Sequence, residues 1–139
     1  MLIRWLLFVL LLIAPAAWAG QTILVFGDSL SANYGIAAEA GWVSLLQQRL
    51  DRKPHDYRVV NASISGETTA GGASRIRAAL NTHQPEIVII ELGANDGLRG
   101  LSLEATRSNL DSILHACRAR QARILLIGMR LPPNYGAAY

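Results

Sequence analysis

A three-layer α/β fold, with a parallel sheet between two layers of helices, follows from three features of the 139-residue sequence. Four short runs are apolar at nearly every position. Stretches of helical periodicity separate them. The loops after the first three runs each carry a glycine beside small polar residues. Strands without a polar face are buried on both sides, and helices alternating with them form the crossovers that parallel pairing needs.

The first strand is predicted at Thr22–Phe26 (TILVF), the second at Tyr57–Asn61 (YRVVN), the third at Ile87–Glu91 (IVIIE) and the fourth at Arg123–Ile127 (RILLI). Trp42, Leu45, Leu46 and Leu50 recur at helical spacing in the first interval, which Pro54 closes. In the second, Ala73, Ile76, Ala79 and Leu80 share a face. In the third, Leu103, Leu110, Ile113, Leu114 and Cys117 do so, with Ser102 placed to cap the helix and Glu104 in its first turn. Right-handed crossovers then give a flavodoxin-like strand order, 2-1-3-4.

Composition narrows the class. The chain is 51% apolar and 17% charged, and its glycines show no period, which excludes a disordered or collagen-like chain. The length suits one domain. A formal charge of +3 is spread along the sequence, with no basic stripe and no interleaved aromatics, so nucleic acid is not the expected partner. The only cysteine, Cys117, leaves no intrachain disulfide and falls on the apolar side of its helix.

Residues 1–19 read as an address. Arg4 precedes ten apolar residues, Trp5 to Ala14, then Pro15 and the small-x-small triplet Ala17-Trp18-Ala19. A spanning helix needs about 20 apolar residues, so this segment is expected to be a signal peptide cut after Ala19. The expected location is the periplasm or outside the cell, and residues 20–139 form the expected domain.

In an open parallel sheet the site lies beyond the carboxyl ends of the strands, at the switch point beside the first. Three loops converge there: Gly27-Asp28-Ser29-Leu30, Ala62 to Thr69 with Gly66 at its centre, and Leu92-Gly93-Ala94-Asn95-Asp96. They offer a hydroxyl, a glycine amide and a carboxamide. Together these suit acyl transfer. A serine on a sharp turn presents its Oγ, while the Ser29 N–H, the Gly66 N–H and the Asn95 amide can aim at an oxyanion. Such donors are worth about 3–4 kcal/mol each. Read singly, Ser29 beside Asp28, and Asn95-Asp96-Gly97, also suit plain turns. Gly66 to Gly72 lacks the lysine of a phosphate loop, and no metal-ligand spacing is present.

Three blocks, Phe26-Gly27-Asp28-Ser29-Leu30-Ser31, Gly66 after the second strand, and Gly93-Ala94-Asn95-Asp96, resemble the first three blocks of the SGNH (GDSL) hydrolase family. Asn61 to Thr69, Gly41-Trp42 and Met129 to Gly136 are similar to its periplasmic thioesterase I, arylesterase and lysophospholipase branch. The resemblance implies Ser29 as nucleophile, an oxyanion hole of Ser29, Gly66 and Asn95, and support from Gly27, Asp28 and Asp96. It implies small acyl ester or thioester substrates, no metal or organic cofactor, no stable membrane span, and a monomer when complete.

The general base of that family comes from an Asp-x-x-His block. None of His55, His83 and His115 has an aspartate three residues before it, and each falls away from the Ser29 edge. The chain is therefore expected to be truncated, with the last strand, the C-terminal helix and the catalytic base missing, and to be nearly inactive alone. The alternative is a non-catalytic acyl- or glycan-binding module, or an inactive fragment.

Overall fold

The computed structural model describes residues 21–130. The expected signal segment and the Pro132 to Gly136 stretch lie outside them. Four parallel strands, β1 (Gln21–Gly27), β2 (Tyr57–Asn61), β3 (Ile87–Glu91) and β4 (Arg123–Leu126), form one sheet in the order β2-β1-β3-β4. That is the order the sequence predicts. β1 pairs in parallel with both of its neighbours, Ile23 with Val59 of β2 on one side and with Ile87 of β3 on the other, so the three carboxyl ends lie at one edge.

Alternation along β1 divides the core in two. Ile23 and Val25 face helix α1 (Trp42–Leu50), with Val43 and Ile89. Leu24 and Phe26 face α2 (Thr69–His83) and α4 (Leu103–Ala119), where Ile76, Leu80, Ile113 and Cys117 close around Val88 and Ile90. Each fully buried aliphatic chain contributes roughly 1.5–3 kcal/mol through removal from water. Both long crossover helices carry side-chain caps: Thr68 Oγ1 accepts from the Gly71 N–H, and Ser102 Oγ from the Ala105 N–H. Cys117 is buried, and burial pushes its thiol up to about 11.

Two expectations need correction. Leu45 and Leu103, placed on apolar helix faces by spacing, are 50% and 45% exposed. On α1 Val43 is the buried residue, and Trp42, Leu46 and Leu50 pack against the same cluster, so the predicted face holds with Val43 in place of Leu45. Leu103 is the first residue of α4 and lines an open groove with Leu110, Leu114 and Leu126. The Asn95-Asp96-Gly97 segment, which also suited a plain turn, is one helical turn, α3 (Ala94–Leu98).

Burial separates two substitutions of similar chemistry. Ile113→Ala, at a site with no exposure, is expected to cost about 2–5 kcal/mol. Leu45→Ala should stay within about 0.5 kcal/mol of the parent. Urea midpoints measure both, and equal costs would contradict the two-layer packing.

Candidate active site

The turn after β1 is built by a buried carboxylate. Asp28 Oδ1 accepts the Leu30 N–H at 3.0 Å, and the Asp28 carbonyl accepts the N–H groups of Ser31 and Ala32. These bonds close the chain around Ser29, leaving it half-buried at the carboxyl edge. Among the described residues the Ser29 hydroxyl and its N–H have no hydrogen-bond partner. The loop after β2 runs beside this turn, because the Ala62 N–H donates to Val25 and the Ile64 N–H to Gly27. Asn61 Nδ2 adds a bond to the Ser31 carbonyl at 2.7 Å.

Gly66 sits in that second loop with φ +78°, a left-handed conformation that glycine takes without strain. Its N–H has no acceptor among the described residues, while its carbonyl accepts from Arg99 Nη2 at 2.9 Å. Arg75 braces the loop from α2. Its Nε is paired with Glu67 Oε2 and its Nη1 donates to the Ala62 carbonyl, while the guanidinium lies 3.9 Å over the Phe26 ring.

Asn95, at the start of α3, joins the other two loops. Its Nδ2 donates to Asp28 Oδ2 and to the Glu67 carbonyl, each at 3.0 Å. The structure thus brings the Ser29 turn, the Gly66 loop and Asn95 together. It also adds a detail absent from the sequence reading: both Asn95 amide hydrogens are engaged, whereas the Ser29 and Gly66 N–H groups are unengaged. Asp96 is buried and accepts from the Thr69 N–H and hydroxyl and from Thr106 Oγ1, which ties α3 to α2 and α4.

Sequence reasoning missed Glu91. It is 4% exposed at the end of β3, paired in register with Gly27, and its Oε2 accepts the Ser31 hydroxyl at 2.7 Å and the Asp28 N–H at 3.3 Å. The signal was present in a charged residue closing an otherwise apolar strand. Glu67 and Arg75 were missed as well, since their pairing spans eight residues across a loop and a helix. The three histidines lie elsewhere: His55 is exposed before β2, His83 ends α2, and His115 is exposed on α4 with Nδ1 on the Asp111 carbonyl.

Comparison with known proteins places this geometry. Residues 25–139 match the GDSL-like Lipase/Acylhydrolase family. The chain is 54% identical over 121 residues to the esterase TesA of Pseudomonas aeruginosa, covering 87% of this chain and 60% of that protein. It is 47% identical over 139 residues to thioesterase 1/protease 1/lysophospholipase L1 of Escherichia coli K12, covering 98% of this chain and 65% of the relative. A crystal structure of TesA superposes with a TM-score of 0.83 at 53% identity, over 85% of this chain and 66% of that one. The chain therefore spans about two thirds or less of the length of these curated relatives.

Burial holds the Glu91 carboxyl above the ordinary carboxylate range; the Ser31 hydrogen bond opposes that rise and the nearby Asp28 charge adds to it. A value raised by folding means that the stability linked to this group is full below the unfolded pKa and is lost as pH rises through the folded one. Wild type is therefore expected to lose stability relative to Glu91→Gln as pH rises above the ordinary glutamate value of about 4. Denaturant midpoints measured upward from that pH check it, and a pH-independent difference would contradict it.

Proposed function

The chain belongs to the GDSL-like Lipase/Acylhydrolase family, and on that premise we propose that the protein hydrolyses small acyl esters and thioesters through an acyl-enzyme on Ser29. The observation that carries this reading is the Asn95 carboxamide bonded at once to Asp28 and to the Glu67 carbonyl. Those two bonds hold the serine turn, the glycine loop and the carboxamide within one small volume. The relatives' names, esterase and thioesterase 1/protease 1/lysophospholipase L1, supply the substrate class.

In this mechanism Ser29 Oγ attacks the acyl carbonyl carbon and gives its proton to a general base. The carbonyl oxygen becomes an oxyanion facing the Ser29 and Gly66 N–H groups. Asn95 joins them by turning one amide hydrogen from its internal acceptor to the oxyanion. Collapse of the tetrahedral intermediate expels the alcohol or thiol, which takes the proton from the base. Water, activated by the same base, then releases the acid and restores Ser29.

Asp28 is unsuited to be that base, because its oxygens already accept from Leu30 and Asn95. No histidine among the described residues stands at this edge. The proposed proton acceptor is the histidine of an Asp-x-x-His block of the kind the family resemblance implies, a block that the 139 residues do not contain. An acyl-binding module without turnover is the competing reading, favoured by that same lack of a neighbouring imidazole.

Export belongs to the proposal too. Among the described residues no helix is long and apolar enough to cross a membrane. The Arg4 to Ala19 segment has the charge, apolar run and cleavage triplet of a signal peptide. The proposed location of the mature protein is the periplasm or the outside of the cell.

Two measurements test these assignments. A fluorophosphonate should label Ser29 in the whole protein and leave Ser29→Ala unlabelled. Asn95→Ala should still label slowly while its kcat falls by about 10²–10³. Wild-type turnover by Ser29→Ala would end the reading, and labelling without any turnover would favour the binding module. For export, N-terminal sequencing of secreted protein should begin near Gly20; a full-size chain retained in the membrane would contradict cleavage.

A further inference from the structure

We propose that Glu91 is a positioning residue for the nucleophile turn, its carboxyl gripping the chain on both sides of Ser29. The inference rests on the reading of Ser29 as nucleophile.

Glu91 Oε2 accepts the Asp28 N–H, one residue before Ser29, and the Ser31 hydroxyl, two residues after it. Both donors belong to the turn that presents the Ser29 hydroxyl and N–H, and both converge on one oxygen of another strand. The parallel pairing of Gly27 with Glu91 sets how far that oxygen stands from the turn. The glycine is part of the device. A Cβ at Gly27 would fall 2.7 Å from Glu91 Oε2 and 2.9 Å from Ser31 Oγ, so a side chain there would expel the carboxyl from its seat.

The energetics argue against a plain packing role. Glu91 is almost fully buried, its Oε1 has no partner among the described residues, and the Asp28 carboxylate lies beside it. A buried carboxyl with half its acceptors unfilled is costly. The four residues before it, Ile87 to Ile90, are apolar, and an apolar residue at 91 would be the cheaper ending. What Glu91 provides that an aliphatic chain lacks is an acceptor fixed in place, holding donors 60 and 63 residues distant in sequence. A turn released from it keeps its sequence but loses the setting of the hydroxyl, and a displacement of about 1 Å at a reacting group can cost about 10²-fold in rate.

The test uses the whole protein and a short chromogenic acyl ester, with kcat, KM, the fluorophosphonate labelling rate and circular dichroism measured for each variant. Glu91→Leu is expected to lower kcat and the labelling rate together by about 10²-fold, with KM within about threefold of wild type. Glu91→Gln keeps an acceptor oxygen at the same reach and should recover kcat to within about tenfold of wild type. Ser31→Ala removes one of the two grips and should fall between them. A folded Glu91→Leu with wild-type kcat would overturn the inference, as would a loss confined to KM, or a Glu91→Gln no better than Glu91→Leu. Should Glu91→Leu fail to fold, Ser31→Ala decides: reduced kcat at constant KM supports the role, and wild-type kcat overturns it. Ser29→Ala separates the two readings. Its activity would remove the nucleophile assignment, whereas an inactive Ser29→Ala beside an unaffected Glu91→Leu would remove only the role of Glu91.

Discussion

The parallel pairing of β1 with β2 on one side and β3 on the other is the constraint from which the site descends. Parallel strands share a direction, so their loops leave at one edge, and the centre of that edge belongs to β1. Ser29 follows β1, Gly66 follows β2 and Asn95 follows β3, so three segments distant in sequence meet without any long excursion of the chain. The backbone bonds of Ala62 to Val25 and of Ile64 to Gly27 carry this pairing past the end of β2. The second loop therefore stays beside the serine turn.

Proximity alone would leave three mobile loops. Carboxylates and an arginine supply the order, each binding backbone or side-chain donors from a different element. Asp28 holds its own turn and receives Asn95. Glu67 receives Arg75, whose other nitrogen holds the Ala62 carbonyl. Asp96 holds the first turn of α2 through Thr69 and reaches α4 through Thr106. Charge-assisted hydrogen bonds are the stronger kind, and their directionality fixes orientation as well as distance. Such ordering costs desolvation, and under the proposed acyl transfer it lowers what must be rearranged when charge develops on a bound carbonyl.

Most of the fold was legible because burial on both faces leaves a simple record. Ile87 to Ile90 and Thr22 to Phe26 contain no polar period, and both lie at the centre of the sheet. Strand order followed from crossover handedness and needed no side-chain detail. Helix faces were legible less well. On α1 the spacing of Trp42, Leu45, Leu46 and Leu50 defines an apolar stripe wide enough to include Leu45, but contact with β1 and β3 selects Val43 instead. β4 is apolar like the central strands, RILL, but stands at the edge of the described sheet, where Leu125 and Leu126 are 54% and 45% exposed. Apolar pattern records what a strand is suited to cover, and neighbours decide what is covered; an edge of this kind is open to pairing.

The candidate site was legible through short motifs, while its supports were not, and the reason is physical. Ser29, Gly66 and Asn95 each sit in a loop whose residue types suit one chemistry. Glu91 and Arg75 act through partners in other elements, so no short motif states their role. What does mark them is poor economy of folding. A strand ends in Gly27, a residue that weakens a strand, at a position where a Cβ would strike Glu91 and Ser31. Its neighbour ends in a buried acid, and a guanidinium is pressed onto the core ring of Phe26. All of these lie toward the carboxyl edge. At the opposite edge, the left-handed residues Gln84 and Gln121 close helices α2 and α4, an ordinary way of ending a helix that calls for no further explanation. Departures from local consistency that gather at one edge, while the rest of the domain obeys the rules, are expected where stability has been traded for a fixed arrangement of reacting groups. Gly27, Glu91 and Arg75 would single out this edge even in a chain whose serine motif went unread.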